Sequence, residues 1–220
     1  MSEVPDAGVD RGAYWNHNTA YHPWILRIAA GGSTEDALDV GCGEGLLVQR
    51  LAPLFTTVTG IDPDPAAIAR AQDRLRGAHR ATVALSSFAD FDAADRRFDL
   101  ITFVATLHHM DLRPTLAKTA RLLRPGGTLA VVGLAANRSA GDWILSALAV
   151  PWVRLGSALH RESRDIGVAT AAPRESLAEI RRTAETVLPG VRVRRGLYYR
   201  YLLSWTKPPA PVDPAGRDSL

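Results

Sequence analysis

The sequence feature that most constrains the fold is the segment 37–45, which reads Ala-Leu-Asp-Val-Gly-Cys-Gly-Glu-Gly. Its first four residues are typical of a short buried strand, and the leucines that follow it have helical spacing. Glycine lets the backbone turn sharply and lets a ligand approach it closely. A helix that starts directly after such a turn points its unpaired N–H groups at whatever lies above. The segment therefore predicts a ligand site between a strand and a helix.

Two kinds of nucleotide site fit a strand, a glycine turn and a helix. The dinucleotide fingerprint is G-x-G-x-x-G, in which the third glycine permits close packing around a pyrophosphate. Here the spacing is G-x-G-x-G, and Leu46 occupies the sixth position. Asp39, two residues before the first glycine, adds a negative charge that suits a cationic ligand and works against a pyrophosphate. A nicotinamide- or nucleotide-binding enzyme is therefore the disfavoured alternative.

The rest of the chain alternates strand-like and helix-like segments, as in a parallel sheet with helices on both faces. We predict strands at 37–40, 56–61, 81–86, 99–106 and 129–134, and an antiparallel pair at 191–197 and 199–205. Helices are predicted from Leu46, after the cap Asp64 with Pro65 at its first position, at 112–123, and from Pro173. The sequence therefore predicts an α/β fold with a doubly wound, mostly parallel sheet of seven strands and an antiparallel C-terminal edge.

Four short motifs follow one another in a familiar order and spacing: LDVGCGEG at 38–45, GIDPD at 60–64, FDLI at 98–101 and LRPGG at 123–127. In this the chain resembles the class I S-adenosylmethionine-dependent methyltransferases. The resemblance covers roughly residues 35–135. It implies a Rossmann-like fold, the cofactor S-adenosylmethionine and the product S-adenosylhomocysteine.

The resemblance also suggests a domain organisation. The methyltransferase domain is expected at 35–207, preceded at 1–34 by a polar tail and an aromatic, histidine-containing stretch that in many family members folds over the cofactor. Residues 138–172 are expected to form a lid or substrate region, with an ordinary core helix as the alternative. Residues 208–220 contain four prolines and are expected to be a disordered tail.

Asp62 ends the second predicted strand, where a carboxylate can accept both ribose hydroxyls. By resemblance it is the ribose ligand. The resemblance further implies cofactor contacts from Asp39, Gly41, Gly43, Pro63, Ser87, Phe88, Val104 and Tyr21. Ser87 is expected to bond the adenine and Phe88 to stack on it, at a place where the family often carries an acid. Adenine recognition is thus where the sequence departs from the family pattern.

Methyl transfer from a sulfonium has a neutral leaving group, so the protein mainly orients the reactants and excludes water. A base is needed only if the acceptor must lose a proton, and histidine suits that task near neutral pH. His108 and His109 directly follow the fourth strand, and His17 lies in the N-terminal aromatic stretch. We predict these three as candidate catalytic residues. For His108 and His109, a structural role at the start of the next helix is the alternative.

Composition argues against several other functions. The formal net charge is only +3 and the arginines are scattered, whereas nucleic-acid binding needs a basic stripe with interleaved aromatics. No 18-residue apolar run and no signal peptide are apparent. Cys42 is the single cysteine, so an internal disulfide or a cysteine-based metal site is excluded. We expect a cytoplasmic monomer or homodimer without nucleic-acid, membrane or metal partners.

Together these features predict an enzyme that transfers a methyl group to a hydroxyl or amine of a small molecule, with secondary metabolites as one candidate class. No Asn-Pro-Pro-Tyr run follows the fourth strand, where enzymes that methylate nucleic-acid amines carry one; residues 106–109 read Thr-Leu-His-His instead. Two alternatives remain open. One is a catalytically silent S-adenosylmethionine-binding partner protein, and the other is an enzyme that uses the cofactor for different chemistry.

Overall fold

The structure, a computed structural model of the chain, describes residues 18–136, 173–196 and 200–209. Three predicted features lie outside these residues: His17, the lid at 138–172 and the tail from residue 210 onward. The predicted division into 1–34, 35–207 and 208–220 stays a prediction.

Helices and strands alternate through most of the described chain. The helices are His22–Ala30 (α1), Leu46–Leu51 (α2), Pro65–Arg74 (α3), Leu112–Leu122 (α4) and Leu177–Val187 (α5), with short 3₁₀ turns at Thr19–Tyr21 and Leu107–His109. The strands are Asp36–Val40 (β1), Thr57–Asp62 (β2), Ala81–Leu85 (β3), Phe98–Val104 (β4), Leu123–Leu134 (β5), Arg192–Arg195 (β6) and Arg200–Thr206 (β7). Asp64 caps α3 as predicted, since its carboxylate accepts the N–H of Ala66 at 2.8 Å.

The seven strands form one sheet in the order β3-β2-β1-β4-β5-β7-β6. The pairs among β1 to β5 are all parallel, whereas β7 runs antiparallel to both of its neighbours. This confirms the predicted Rossmann-like sheet with its antiparallel C-terminal edge. The carboxyl ends of β1, β2 and β4 therefore meet at one edge of the sheet, where such folds bind ligands. Because β7 is reversed, its first residue lies at that same edge.

The core is divided between the two faces of the sheet. On one face α4 and α5 cover a cluster that includes Phe98, Phe103 and Trp205, all of them nearly inaccessible to solvent. On the other face α1, α2 and α3 cover a second cluster around Phe55 and Leu202. The central strand β4 is buried along nearly its whole length, as expected for a strand covered on both faces.

The predicted starts of two elements differ most from the structure. The fifth strand begins at Leu123 and not at 129, because Leu123 already pairs with Phe98 and a register shift next to Phe98 absorbs the Pro-Gly-Gly turn. The last helix begins at Leu177 and not at Pro173. Ser176 is its N-cap, and Glu179 completes a capping box by accepting the N–H of Ser176.

Candidate active site

The glycine turn between β1 and α2 folds as its spacing requires. Gly41, Gly43 and Gly45 all have left-handed φ angles of 71°, 51° and 76°, a conformation that only glycine adopts without strain. A methyl group on Gly41 would collide with Thr106, whereas nothing lies within 4 Å of the same position on Gly43. The backbone at Gly43 thus faces open space, where a ligand can approach closely.

Asp62 at the end of β2 is fixed directly beside this turn. Its Oδ2 accepts the N–H of Gly43 at 2.9 Å, and its Oδ1 accepts the N–H of Asp64 at 2.9 Å. A carboxylate has about four acceptor positions, so two remain for a ligand. The contact between Asp62 and the glycine turn was not predicted from the sequence, and the role of Asp62 as ribose ligand stays a prediction. Pro63 separates Asp62 from Asp64 in the chain.

Asp39 lies beneath the turn at the end of β1 and is almost fully buried, with 2 % of its surface exposed. The Thr102 hydroxyl donates to its Oδ1 at 2.6 Å. Burial raises the pKa of Asp39 from 3.8 to about 7, the Thr102 hydrogen bond opposes this rise, and the nearby charge of Asp62 adds to it. Two carboxylates on neighbouring strands therefore give this edge of the sheet a negative potential.

Two hydrogen bonds that the sequence analysis did not predict connect the glycine turn to α3. The Arg70 Nε donates to Glu44 Oε1 at 2.8 Å, and the Arg74 Nε donates to the carbonyl oxygen of Glu44 at 2.8 Å. Partly exposed ion pairs contribute little to stability. Their position indicates that they restrain the turn beside the ligand space.

The end of β3 only partly matches the expected adenine site. The Ser87 hydroxyl donates to Asp90 Oδ2 at 2.6 Å, which holds both polar groups at the edge of the sheet. Phe88 is only 3 % exposed, and its ring packs edge-on against Phe103 and beneath the Lys118 ammonium. The expected stacking of Phe88 on adenine does not fit this burial, because both neighbours hold the ring in the core.

At the end of β4 the backbone is strained. Ala105, directly after the half-buried Val104, has a φ of 57°, which is uncommon for any residue other than glycine. The conformation is stabilised by the Ala105 N–H, which donates to the Val132 carbonyl at 2.7 Å, and by the Thr106 hydroxyl, which donates to the Val40 carbonyl at 3.0 Å. Such outliers concentrate at functional sites, and this one directs the chain from β4 into the two predicted histidines.

His108 and His109 form their own 3₁₀ turn after β4, and α4 begins only at Leu112. The rings lie 4.1 Å apart, with His109 exposed and His108 half-buried. Within the described residues the buried Nδ1 of His108 has no hydrogen-bond partner. Burial, and after it the charges of His109 and Arg200, lower the pKa of His108 from 6.5 to about 4. The imidazole of His108 is therefore neutral at pH 7.

The N-terminal segment, from Asn18 through α1, contacts α2 and the start of β7. His22 is buried, and its Nδ1 accepts from Arg50 Nη1 at 2.9 Å, which gives this histidine a structural contact. Tyr21 lies against Gly196, where an added Cβ would approach its hydroxyl to 2.6 Å. The predicted cofactor contact of Tyr21 stays a prediction, and its neighbours place it beside Arg200 at the start of β7.

The described residues contain no group of three or more His, Cys, Asp or Glu side chains arranged to hold a metal ion. In the same ranges no helix combines the length and the apolar character needed to cross a membrane.

The fold and the site define an α/β protein with a ligand site at the carboxyl edge of its sheet, and the chemistry of this edge fits a cationic nucleoside. The backbone at Gly43 faces open space, the Asp62 carboxylate has free acceptor positions, and the buried Asp39 adds negative charge. The residues present therefore fit S-adenosylmethionine, which is positively charged at its sulfur.

Comparisons of the sequence with known proteins identify methyltransferases. A methyltransferase-domain family profile matches residues 38–129. An uncharacterized methyltransferase of Mycobacterium tuberculosis is 35 % identical over 201 residues, which are 88 % of this chain and 98 % of that protein. The ubiquinone biosynthesis O-methyltransferase of Thiobacillus denitrificans is 30 % identical over 154 residues, covering 64 % of this chain and 65 % of that enzyme.

Among solved structures, the N-methyltransferase NodS of Bradyrhizobium japonicum in complex with S-adenosylhomocysteine matches with a TM-score of 0.59 and 22 % identity. The match covers 88 % of this chain and 89 % of NodS, and it shows a shared fold. The chain belongs to the class I S-adenosylmethionine-dependent methyltransferases, and S-adenosylmethionine is its cofactor.

Proposed function

We propose that the protein transfers a methyl group from S-adenosylmethionine to a hydroxyl or amine of a small molecule. The observation that carries the proposal is the geometry of Asp62, whose carboxylate is held by Gly43 and Asp64 beside an open glycine turn. The relatives named as O- and N-methyltransferases are consistent with either acceptor atom.

Each predicted cofactor residue receives a role in this proposal. Asp62 would accept the ribose hydroxyls, Asp39 would provide negative charge for the cationic cofactor, and Gly43 would let the cofactor approach the backbone. Further contacts are assigned to Gly41, Pro63, Ser87, Val104 and Tyr21. Phe88 contributes to this site only through its backbone, since its ring lies in the core.

When bound, S-adenosylmethionine supplies a methyl group on a sulfonium, and its sulfur leaves as a neutral thioether. The protein therefore needs no general acid, and it contributes orientation and exclusion of water. A hydroxyl or ammonium acceptor must also lose a proton. A base works best when its pKa lies near the working pH, so the low pKa of His108 argues against His108 as the base. The exposed His109, whose ring lies 4.1 Å from that of His108, is assigned this role. His17 is the third candidate.

The cofactor part of the proposal is tested with Asp62→Ala. We expect this variant to bind S-adenosylmethionine at least about 10-fold more weakly, because hydrogen bonds to a charged group are each worth about 1.5–3 kcal/mol. Isothermal titration with S-adenosylmethionine, S-adenosylhomocysteine and NAD measures the affinities. Asp73→Ala, which removes an exposed carboxylate on α3, is the matched control. Unchanged affinity in Asp62→Ala would refute the ribose assignment.

The transfer step is tested by incubating the protein with S-adenosylmethionine and a panel of hydroxylated and amine-bearing small molecules. Formation of S-adenosylhomocysteine together with a product heavier by one methylene group is the expected result. His109→Ala should then lower kcat by about 10²–10⁴-fold while cofactor affinity is kept. Cofactor binding without transfer to any acceptor would favour a catalytically silent partner protein. A product without the added methyl group would indicate different chemistry.

A further inference from the structure

Arg200 is a charged residue at the site edge to which the cofactor proposal gives no role. It opens β7 and pairs with Leu134 at the carboxyl end of β5, so it lies at the same edge of the sheet as the glycine turn. Its side chain shares a face with Leu202, which packs in the cluster beneath α1 and α2. In the sheet order β7 is the third strand from β1, roughly 14 Å away at the usual strand spacing.

The guanidinium of Arg200 is half-buried and incompletely paired. Its Nε and Nη2 both donate to the Oδ1 of Asn18, at 3.2 and 2.7 Å. Arginine has five N–H donors, and no acidic side chain among the described residues contacts this one. Burial lowers the pKa of Arg200, which remains charged at neutral pH. Buried charges in proteins are normally paired, so this environment favours an anion.

The side chains near Arg200 also support an anion site. His108 is close enough to Arg200 for the guanidinium to lower its pKa, and its buried Nδ1 has no partner within the described part of the chain. Tyr21 is also close enough to Arg200 to influence the pKa of the guanidinium. Polar side chains therefore continue from the histidine turn to the start of β7, on the opposite side of β4 from Asp39 and Asp62.

We propose that the methyl acceptor carries a carboxylate and that Arg200 binds it, so that the acceptor's hydroxyl or amine lies over the His108–His109 turn. The proposal rests on the proposed function and names the chemical class of the acceptor. A guanidinium presents two parallel N–H groups that match the two oxygens of a carboxylate. The acids at β1 and β2 attract the cationic cofactor, and Arg200 attracts the anionic acceptor at the other end of the same edge.

The test compares two probes of the same shape, 4-hydroxybenzoate and 4-hydroxybenzamide, on protein saturated with S-adenosylhomocysteine. Isothermal titration should show that the wild-type protein binds the acid about 10-fold or more tightly than the amide, as expected for a charge-assisted pair. Arg200→Gln keeps an N–H donor for Asn18 and removes the charge, so it should bind both probes equally. Arg200→Lys should keep part of the preference for the acid, since lysine retains the positive charge and lacks the two parallel N–H groups of the guanidinium.

Arg192→Gln is the matched control, because this arginine is exposed at the opposite end of the same strand pair, where it faces Ser204. It should leave the preference for the acid unchanged. The unfolding temperature and the affinity for S-adenosylhomocysteine are measured for every variant, so that loss of the fold is not mistaken for loss of acceptor binding.

The proposal is overturned if wild-type protein binds the acid and the amide equally, or binds neither, or if Arg200→Gln keeps the preference. It is also overturned if Arg200→Gln weakens S-adenosylhomocysteine itself, because Arg200 would then bind the cofactor's own carboxylate. Failure of the proposed function gives a different result: the wild-type protein would not bind S-adenosylhomocysteine, or it would bind it and form no methylated product with any acceptor of the transfer panel.

Discussion

Replacement of Asp39 by asparagine should stabilise the free protein and weaken its cofactor binding. The pKa of this buried carboxyl is raised from 3.8 to about 7, so folding at neutral pH must either protonate it or bury its charge. A raised pKa in the folded state means that stability is fully present below pH 3.8 and is lost as pH rises through 7. An amide of the same shape avoids this cost, and its oxygen still accepts from Thr102.

The magnitude follows from the same pKa values. Because the folded and unfolded pKa values of Asp39 differ by roughly three units, burial of this carboxyl lowers the free energy of unfolding by about 4 kcal/mol above pH 8. This loss of stability falls to about 2 kcal/mol at pH 5, which is closer to the unfolded pKa of 3.8. The stability gained by Asp39→Asn should therefore grow by about 2–3 kcal/mol between pH 5 and pH 8. The free energy of unfolding is measured by urea titration of both proteins without cofactor.

Two other buried groups also make stability depend on pH. The pKa values of His22 and His108 are lowered by burial to about 3 and about 4, so both residues are neutral in the folded protein. Their contribution is present above the ordinary histidine pKa of 6.5 and is lost as pH falls below it. Both proteins contain these histidines, so this contribution cancels in the comparison.

Cofactor affinity should change in the opposite direction. A bound cation favours the ionised form of Asp39, so wild-type affinity for S-adenosylmethionine should rise between pH 5 and pH 8 while that of Asp39→Asn stays nearly flat. S-adenosylhomocysteine lacks the sulfonium charge and should lose less affinity in the variant. Parallel pH profiles of stability for the two proteins would refute the assignment of a buried, destabilising carboxyl to Asp39.

Two further predictions concern the scaffold of the site. Gly41→Ala places a methyl group against Thr106 at a φ of 71°, so it should lower stability by about 2–4 kcal/mol and abolish cofactor binding. The control is Gly77→Ala, which has a φ of 87° but faces open space; it should lower stability by about 1–2 kcal/mol and leave cofactor binding intact. Arg124→Ala removes the guanidinium that donates to Asp99 at 2.7 Å, at the edge of the sheet far from the glycine turn. Urea unfolding should show a loss of stability of about 1–3 kcal/mol. Because the contact lies far from the site, kcat at saturating cofactor and acceptor should not change.

The parts of the fold that sequence could predict have short-range causes. The glycine turn, the cap at Asp64 and the apolar strands are each encoded within a few neighbouring residues, and all are observed. The start of α5 was also readable, since Ser176 and Glu179 have the spacing of a capping box. The start of β5 could not be predicted, because Pro125 and Gly126 suggest a turn before the strand, whereas the strand continues through them with a register shift.

The parts of the site that sequence could not predict depend on distant partners. Asp39 was expected to provide charge for the ligand, but its hydrogen bond to Thr102 spans 63 positions in the chain. An aromatic residue after a strand, such as Phe88, is equally compatible with a ligand platform and with the core, and only its contact with Phe103 distinguishes the two. Arg200 is one of several arginines near the C-terminus, and nothing in its local sequence marks it.

The reversal of β7 explains how Arg200 becomes part of the site. In a parallel sheet every strand ends at the ligand edge, so the first residue of a strand lies at the far edge, as Asp36 and Phe98 do. An antiparallel strand begins where its neighbours end. The reversed strand β7 therefore brings its first residue, Arg200, to the edge where Asp39 and Asp62 lie, about three strand spacings from β1. With acids at one end of this edge and a guanidinium at the other, a cationic cofactor and an anionic acceptor are each drawn to their own end, and the histidine turn after β4 lies between them.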